Sequence, residues 1–416
     1  MTLGKKHVIV IGGGASGMVA AIVAARNEAK VTILERNPRI GKKILATGNG
    51  RCNFTNVNAD ITCYQGNNPR FAYSTLTGFT VQETLEFFEK LGIAPKVEDL
   101  GKVFPTSDQA SSVLDVLMYE LNKTGVNIVC DAYVESIRKE ANTFKVKFAE
   151  GGELIGDSVI LAAGGKAMPS TGSDGSGYGL AEKLGHTITA IFPALVQLKL
   201  EGSFFKQIAG VKFVGTAEIL QNNKTVAQDK GDILFANYGV SGPPILQISR
   251  KAGELLQKGK EVVLKLTILD KMAKEELREL IIKRFNNDSQ KTLGFSLVGL
   301  INKRLIPVLL KEAGLTDLKR PVASVSSKER EKIITILQDW RFNVSGTKSW
   351  PSAQVTAGGI VTNEINPTTM ESKIVKGLFL AGEIIDIDGL CGGFNLQWAW
   401  SSGYIAGKSA SHNKPS

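Results

Sequence analysis

Residues 7–35, which read HVIVI-GGGASG-MVAAIVAARNEA-KVTIL-E, decide the fold of this chain. The apolar run His7–Ile11 predicts a buried β-strand, and the glycines after it predict a tight turn. An alanine-rich helix pattern covers about residues 15–27, and a second strand, Lys30–Leu34, ends at Glu35. Strand, glycine turn, helix, strand and acid in this order predict a β-α-β unit of the Rossmann type.

The glycine turn has the spacing of a dinucleotide fingerprint. It matches G-x-G-x-x-G at Gly12, Gly14 and Gly17. The first glycine allows the tight turn, the second lets the backbone approach a pyrophosphate, and the third lets helix and strand pack closely. The helix N-terminus directs N–H groups at an anion, and the carboxylate of Glu35 can bind both hydroxyls of a ribose. A purely structural turn is the alternative, but the complete context favours a dinucleotide site.

Length and composition are those of a globular enzyme with two or three domains. The chain has 416 residues, of which 43% are hydrophobic, and its mean hydropathy is +0.01. The longest apolar stretch near the N-terminus, residues 18–25, is too short to cross a bilayer. A first strand at residue 7 leaves no room for a signal peptide. We therefore expect no membrane association.

The cysteines and histidines predict neither a metal site nor a disulfide framework. No C-x-x-C pair occurs, and the histidines are scattered. The positions are Cys52, Cys63, Cys130, Cys391, His7, His186 and His412. Thiols without a disulfide pattern are typical of a reducing compartment, so we expect a cytoplasmic protein. Three histidines also give no basis for a Ser-His-Asp triad.

The charge is basic and uneven along the chain. The net charge is +10, from 50 Lys and Arg against 40 Asp and Glu. Residues 1–70 contain ten basic and three acidic side chains, and residues 271–339 contain fourteen basic and nine acidic ones. Part of this excess can face an anionic cofactor, and the rest can attract a pyridine nucleotide or nucleic acid. For any single lysine, simple solvation is the alternative.

Both ends of the chain carry patterns that suit a dinucleotide. Residues 158–165, SVILAAGG, read as an apolar strand whose small final residues let a bound dinucleotide pass closely. Residues 377–383, GLFLAGE, read as a strand that ends in glycine and acid. A glycine-rich turn at 389–393 then precedes a helix pattern, which again directs N–H groups at a ligand. We therefore predict one domain made from both ends.

The middle of the chain reads as an insertion. Residues 192–269 contain alternating runs that predict antiparallel strands, and residues 271–340 have charges at helix-face spacing. The predicted fold class is α/β, a discontinuous Rossmann-type domain with an inserted β-rich domain and a helical subdomain. The predicted bounds are 1–190 and 350–416 for the Rossmann-type domain, 191–270 and about 340–350 for the β-rich domain, and 271–339 for the helical subdomain.

Further motifs follow one another along nearly the whole chain. They are GKKILATGNGRCNFTN at 41–56, GKVFP at 101–105, PSTGS at 169–173, SGP at 241–243, TAGGI at 356–360, EINP at 364–367, MESK at 370–373 and QWAWSSG at 397–403. Together they resemble the BaiN/RdsA family of FAD-dependent oxidoreductases, also described as aminoacetone-oxidase-like flavoproteins. The resemblance implies FAD as the resident cofactor and NAD(P)H as a transient electron donor, since only one glycine fingerprint is present.

The resemblance and the motifs together give a set of expected cofactor contacts. We expect FAD to lie against Gly12, Gly14, Ala15, Ser16, Gly17, Glu35, Arg36, Lys43, Arg51, Cys52, Val134, Ala163, Gly164, Gly382, Glu383, Gly392, Gly393, Phe394 and Asn395. Glu35 is expected on the adenosine ribose, and Lys43 and Arg51 on phosphate or flavin oxygens. The N–H groups around Gly392 and Asn395 are expected at the flavin pyrimidine edge, where a helix N-terminus favours negative charge.

No catalytic residue can be assigned from these patterns alone. Cys52, Cys391 and Asn395 are candidates because they belong to loops expected near the flavin. The two cysteines could form a redox pair or supply a proton, or they could be small, buried and inert. If Asn395 lies at the pyrimidine edge, N395D should hinder reduction of the flavin.

The leading functional hypothesis is an NAD(P)H-driven reductase that passes hydride from flavin N5 to an activated C=C bond. The resemblance suggests two substrate classes, a small enone such as an unsaturated steroid-like ketone, and a uridine of ribosomal RNA that would become dihydrouridine. The basic excess favours RNA contact. One alternative is a flavin-dependent amine oxidase of the aminoacetone type that uses O₂. Another is a non-catalytic flavin-containing RNA-binding protein. No pattern indicates the oligomeric state.

Overall fold

The computed structural model describes residues 5–412. Its strands are β1 His7–Ile11, β2 Lys30–Leu34, β3 Thr55–Asn56, β4 Tyr64–Gln65, β5 Pro95–Val97, β6 Lys102–Pro105, β7 Asn127–Val129, β8 Val134–Glu140, β9 Thr143–Phe148, β10 Gly152–Gly156, β11 Ser158–Leu161, β12 Phe192–Ala194, β13 Leu198–Leu200, β14 Lys212–Gln221, β15 Lys224–Ala236, β16 Gly239–Ser241, β17 Val263–Thr267, β18 Trp340–Thr347, β19 Val355–Ala357, β20 Leu378–Leu380 and β21 Asp388–Gly389. Its α-helices are α1 Ala15–Arg26, α2 Ala72–Gly78, α3 Val81–Lys90, α4 Ala110–Lys123, α5 Ser176–Lys183, α6 Phe205–Ile208, α7 Pro243–Gln257, α8 Lys274–Asn287, α9 Leu293–Ser296, α10 Leu305–Glu312, α11 Ser327–Gln338 and α12 Phe394–Ser411.

The chain divides into two compact units. The first combines the residues up to 192 with those from 353 onward, and the second comprises residues 193–352. Each unit has its own hydrophobic core. The predicted fold class is confirmed, whereas the predicted three-way domain bounds stay a prediction.

The first unit is organised by a five-stranded parallel sheet in the order β20-β11-β1-β2-β7. The apolar run at residues 7–11 becomes the central strand, with Val8 paired to both Ser158 and Val31. Its last four residues are buried, as expected for a strand covered on both faces. Strand β20 comes from the far end of the chain, so both ends contribute to one sheet.

Helices α1 and α12 pack closely because small residues line their contact. Helix α1 is rich in alanine and is buried from Ser16 to Ala24. In α12, a Cβ on Gly403 would overlap the carbonyl oxygen of Ser16, and one on Gly407 would overlap that of Ala20. The two helices therefore approach to a distance that larger side chains would forbid.

Three smaller antiparallel sheets complete the first unit. They have the orders β10-β9-β8, β3-β6-β5 and β21-β4. The basic segment 41–56, predicted as a loop, contains a 3₁₀ turn at Ile44–Gly50 before it enters β3. Thr47, Gly48 and Asn49 have non-helical backbone angles within this turn, so the segment has no regular helix.

The second unit is a closed six-stranded barrel followed by helices. The strand order is β13-β16-β15-β14-β17-β18, and every recorded pairing is antiparallel, as the alternating pattern predicts. Asn222 and Asn223 both have positive φ, at +52° and +60°, and make the tight β14–β15 turn. The barrel strands share one core with α8, α10 and α11. Closure pairs the strand edges that an open sheet would expose.

Candidate functional site

The turn after β1 has the geometry that its glycine spacing predicts. Gly12 has a φ of +100°, and a Cβ there would lie 2.5 Å from the carbonyl oxygen of Ala162. A Cβ on Gly17 would overlap the carbonyl oxygen of Gly12. Gly14, in contrast, has nothing within 4 Å of the position that its Cβ would take. Other parts of the protein therefore pack closely against Gly12 and Gly17, whereas Gly14 can be approached by a ligand.

The N-terminus of α1 is suited to an anion. Its N-cap is Gly14, which has no side chain to cap the helix, and its first turn contains no acidic residue. The hydroxyl of Ser16 is buried and donates to the carbonyl oxygen of Ala381 at 3.4 Å. A Cβ on Gly382 would overlap this hydroxyl. The main-chain N–H groups of the turn, together with the helix dipole, supply partial positive charge.

Glu35 lies at the same turn and is 7% exposed. Its Oε2 accepts a hydrogen bond from the N–H of Gly13 at 2.9 Å. Its Oε1 accepts from the N–H and the side-chain Nδ2 of Asn37, at 2.8 and 2.7 Å. These donors fix the carboxylate beside the glycine turn, as the strand-end position predicts.

Two predicted contacts flank Glu35. The guanidinium of Arg36 pairs with the carboxylate of Asp174 and stands 5.1 Å from the ring centroid of Tyr133. Val134 is buried at the start of β8. The chain just before Val134 is held at the end of β2, because the N–H of Ala132 donates to the carbonyl oxygen of Glu35 at 2.9 Å.

Lys43 and Glu383 meet across the first unit. The Nζ of Lys43 lies 2.6 Å from Oε2 of Glu383. The other oxygen of Glu383 accepts from the N–H of Thr356 at 2.8 Å. The hydroxyl of Thr356 in turn accepts from the N–H groups of Lys166 and Ala167, at 2.7 and 3.0 Å. Two residues predicted as separate cofactor contacts therefore neutralise each other.

Arg51 is paired with two carboxylates, and its expected contact with phosphate or flavin oxygens stays a prediction. Its Nη2 lies 2.6 Å from Glu98 and 2.5 Å from Asp108. Lys96 pairs with the same two carboxylates, at 3.0 and 2.8 Å. The guanidinium carbon of Arg51 stands 4.0 Å from the ring centroid of Phe104. Its recorded partners include none of the other predicted cofactor residues.

The segment after β11 contains two buried hydroxyls without partners. Within residues 5–412, the structure records no hydrogen bond for Ser173 Oγ or the hydroxyl of Tyr178. Ser173 Oγ lies 3.0 Å from the position that a Cβ on Gly164 would take, and a Cβ on Gly177 would lie 2.7 Å from the Cβ of Ala163. Burial raises the pKa of Tyr178, and the charge of Glu383 raises it further. Such hydroxyls are suited to a polar ligand.

The loop before α12 is fixed by its own side chain. Asn395 Oδ1 accepts from the N–H of Gly389 at 2.8 Å, and Nδ2 donates to the carbonyl oxygen of Gly389 at 2.8 Å. Gly392 and Gly393 have φ of +134° and +99°. The hydroxyl of Tyr64 donates to the carbonyl oxygen of Phe394 at 3.2 Å. The Asn395 amide thus closes the loop, and its expected role at a flavin stays a prediction.

The two candidate cysteines differ in exposure. Cys52 is fully buried, and burial raises the pKa of its thiol to about 12. Cys391 is half-buried. The four cysteines, all within the described residues, form no disulfide. A thiol with so high a pKa is neutral at physiological pH, so Cys52 has the chemistry of an inert residue rather than of a nucleophile.

Several residues of this region were not anticipated from the sequence. Ser173 belongs to the PSTGS motif, and Thr356 begins TAGGI, so the motifs were a usable signal for both. Nothing in the sequence distinguishes Tyr178 from other helix tyrosines, because its position depends on how α5 packs. The pairing of Lys43 with Glu383 joins residues from opposite ends of the chain.

The fold and this glycine turn define a Rossmann-type protein, and comparison identifies the family. The chain belongs to the HI0933-like protein Rossmann domain family, whose model matches residues 6–409. It is 43% identical over 405 residues to the 3-dehydro-bile acid delta(4,6)-reductase of Clostridium scindens, covering 96% of this chain and 98% of that protein. It is 31% identical over 398 residues to the ribosomal RNA dihydrouridine synthase of Escherichia coli, covering 95% of this chain and 96% of the relative.

These relationships confirm the resemblance to the BaiN/RdsA family and the predicted class, an FAD-dependent oxidoreductase. Among solved structures, the chain is similar in fold to a 3-ketosteroid delta1-dehydrogenase from Sterolibacterium denitrificans. The TM-score is 0.50 at 11% identity, and the match covers 98% of this chain and 100% of that one. At this identity the likeness concerns the fold alone.

Two kinds of feature are absent from residues 5–412, a metal-ligand cluster and a helix that could span a membrane. No group of three or more His, Cys, Asp or Glu side chains there is arranged to hold a metal ion. No helix in this range combines the length and apolar character that crossing a membrane requires.

Proposed function

We propose that this protein is an NAD(P)H-driven reductase that uses FAD to reduce a C=C bond conjugated to a carbonyl group. The observation that carries the proposal is the 43% identity to a reductase, which extends over 96% of this chain and 98% of the relative. So complete a match includes both ends of the chain, which together make the glycine-turn region.

The residues at the turn fit FAD. An open approach at Gly14 leaves room for a pyrophosphate, and the carboxylate of Glu35 stands beside it for a ribose. The buried hydroxyls of Ser173 and Tyr178 have no partner among the described residues. Leaving a buried hydroxyl unbonded costs about 1–3 kcal/mol, so a polar ligand that bonds them is favoured.

We assign roles to the chain's own groups on this basis. The N–H groups of Gly14 to Gly17 would hold the pyrophosphate, with Glu35 on the adenosine ribose and Arg36 near the adenine. The Lys43–Glu383 pair would lie along the ribityl and pyrophosphate region, with Thr356 fixing the carboxylate. Ala163 and Gly164 would line the path of the dinucleotide.

Bound FAD would supply hydride from N5, while the protein positions and tunes it. A substrate C=C bond conjugated to a carbonyl accepts hydride because the carbonyl takes up the negative charge. A small unsaturated ketone has this arrangement, and so has the uracil ring. We favour the small ketone, since the relative with the higher identity is a bile acid reductase.

Anaerobic stopped-flow is the first test. The purified yellow protein is mixed with NADH and then with NADPH while the visible flavin band is followed. We expect rapid bleaching by one nucleotide, and reoxidation when a 3-keto-Δ4 steroid is added. Protein without FAD, or flavin that neither nucleotide bleaches, would contradict the proposal. Peroxide formed from an aminoketone without nicotinamide would instead favour the amine oxidase.

Ribosomal RNA is the second candidate substrate. The net charge of +10 and the 31% identity to a dihydrouridine synthase favour it. Many basic groups of residues 271–339 are already engaged, for example Arg278 with Glu331 and Arg320 with Glu329, which weakens the argument from charge. Dihydrouridine formed in unmodified rRNA would support this substrate. Tight, salt-sensitive RNA binding without turnover would favour a non-catalytic RNA-binding protein.

A cytoplasmic location is also part of the proposed function.

A further inference from the structure

Lys102 is a half-buried lysine without a recorded partner. It begins β6 in the GKVFP motif, to which the proposed function assigns no role. Within residues 5–412, the structure records neither a hydrogen bond nor an ion pair for its ammonium group. A partly desolvated cation usually acquires an anionic neighbour, so the missing partner calls for an explanation.

The side chain of Lys102 extends toward the loop before α12. Its Cε lies 3.8 Å from the position that a Cβ on Gly392 would take. Asn56, the register partner of Lys102 in the β3–β6 pair, donates from Nδ2 to the carbonyl oxygens of Gly392 and Leu100, at 2.8 and 3.1 Å. One asparagine therefore ties the strand of Lys102 to the loop that contains Gly392, which fixes their separation.

The cations that the sequence predicts at phosphate or flavin oxygens are neutralised by carboxylates. Lys43 is paired with Glu383, and Arg51 is paired with Glu98. The amide of Asn395 is engaged with Gly389. Neither cation has an uncompensated charge to direct at a ligand of the 391–395 loop, and the amide of Asn395 is uncharged. The ammonium group of Lys102, in contrast, has no counter-ion recorded within residues 5–412.

Helix α12 adds to the positive character of the same loop. It spans Phe394–Ser411, its N-cap is Gly393, and its first turn contains no acidic residue. A helix of this length places partial positive charge at its N-terminus. The lysine and the helix start therefore act in the same direction on a group held by the loop.

We propose that Lys102 is the cation that stabilises the negative charge on the pyrimidine ring of reduced FAD. The inference rests on the proposed function, together with the expectation from the sequence that the flavin pyrimidine edge lies at residues 392–395. Two-electron reduction leaves negative charge on that ring. A nearby ammonium group favours the reduced over the oxidised cofactor, and therefore raises the reduction potential. Lys102 is thus assigned to tune the flavin rather than to transfer a proton.

The test compares K102M with K96M in the full-length protein loaded with FAD. Lys96 is a matched control, since it is half-buried in the neighbouring strand but pairs with Glu98 and Asp108. The midpoint potential of bound FAD is measured anaerobically against reference dyes. In K102M we expect the ratio of reduced to oxidised FAD affinities to fall about tenfold, which is about 30 mV for a two-electron couple. We expect no change in K96M and substantial recovery in K102R.

The outcomes separate this inference from the proposed function. Wild-type protein that binds no FAD would overturn both, and this would be seen before any variant is made. Wild-type and K102M proteins that bind FAD with the same midpoint potential would overturn the Lys102 inference and leave the reductase proposal intact. An equal fall in K102M and K96M would also overturn it, because the effect would then be one of general surface charge.

Discussion

The thiol of Cys52 is fully buried in the first unit, and the backbone of this residue has a positive φ of +61°. Burial holds the pKa of this thiol at about 12, above its ordinary value of 9.0. The neutral thiol is therefore the form that the folded state favours. The raised pKa of Cys52 therefore contributes fully to the free energy of unfolding below pH 9, and this contribution is lost as the pH rises from 9 toward 12.

We expect Cys52 to resist alkylation and to be dispensable for flavin reduction. At pH 8 a thiol with this pKa is ionised to only about one part in ten thousand. Native protein treated with iodoacetamide at pH 8 should remain unlabelled at Cys52, as read by peptide mass spectrometry, and C52A should still be reduced by nicotinamide. Rapid labelling, or loss of flavin bleaching in a folded C52A protein, would restore Cys52 as a catalytic candidate.

His186 is the centre of a buried polar chain in the first unit. Its Nδ1 lies 3.0 Å from Glu364 Oε2, and its Nε2 lies 2.9 Å from Ser372 Oγ. The same hydroxyl accepts from the N–H groups of Ile374 and Val375, at 3.0 and 2.9 Å. With both acceptor sites of Ser372 used, the hydroxyl donates to His186, whose Nδ1–H donates to Glu364. The arrangement resembles a hydrolase triad, but its serine is buried and fully bonded.

H186A should destabilise the protein, because we expect this chain of hydrogen bonds to support folding. We expect no hydrolase activity from it. Removing the ring leaves the buried hydroxyl of Ser372 without its acceptor and removes one donor to Glu364, at a cost of about 1–3 kcal/mol. Urea unfolding followed by fluorescence would measure the loss, and wild-type protein should not hydrolyse p-nitrophenyl acetate above the buffer rate. Unchanged stability in H186A would show that the chain of bonds contributes nothing to folding. Esterase activity abolished by S372A would show that it has a chemical role.

At the residue scale, contacts between residues that are close in the sequence could be predicted, whereas contacts between distant residues could not. Glu35 and the glycine turn are determined by neighbours within thirty residues, so their arrangement could be read from the sequence. The Lys43–Glu383 pair and the contact of His186 with Glu364 depend on distant packing. No local pattern marks them, and the three scattered histidines gave no reason to expect a Ser-His-Glu chain.

At the scale of elements, the α1–α12 contact depends on glycine. G407A should destabilise the protein by about 1–3 kcal/mol because the new methyl overlaps the carbonyl oxygen of Ala20. Gly179 in α5 is the control, since nothing lies within 4 Å of its Cβ position. G179A should be neutral or stabilise by up to about 1 kcal/mol. Thermal unfolding of both variants gives the comparison, and equal melting temperatures would contradict the close-packing argument.

The elements themselves were largely predictable because their periodicity is local. The helix expected at residues 15–27 is Ala15–Arg26, and the strand expected at Lys30–Leu34 has those bounds. The alternating runs of the second unit predicted antiparallel strands. They could not predict closure into a barrel, since that depends on β13 pairing with β18, which is more than one hundred residues away.

At the scale of the whole molecule, the second unit should fold by itself. Its barrel is closed and shares a core with its helices, and its boundaries fall at residues 193 and 352. We expect a fragment of residues 193–352 to unfold cooperatively on heating and to show dispersed amide resonances. A fragment with no thermal transition would contradict the division into two independent cores.

The interrupted parallel sheet of the first unit has a consequence for synthesis. Strand β11 pairs with β1 on one side and with β20 on the other, and β20 follows the entire second unit in the chain. At about 5–20 residues per second, a ribosome needs roughly ten to forty seconds to make the stretch between β11 and β20. Throughout this interval the nascent chain presents β11 as an unpaired edge, which can recruit strands from other chains. Nascent chains should therefore depend on chaperones more than the folded enzyme does.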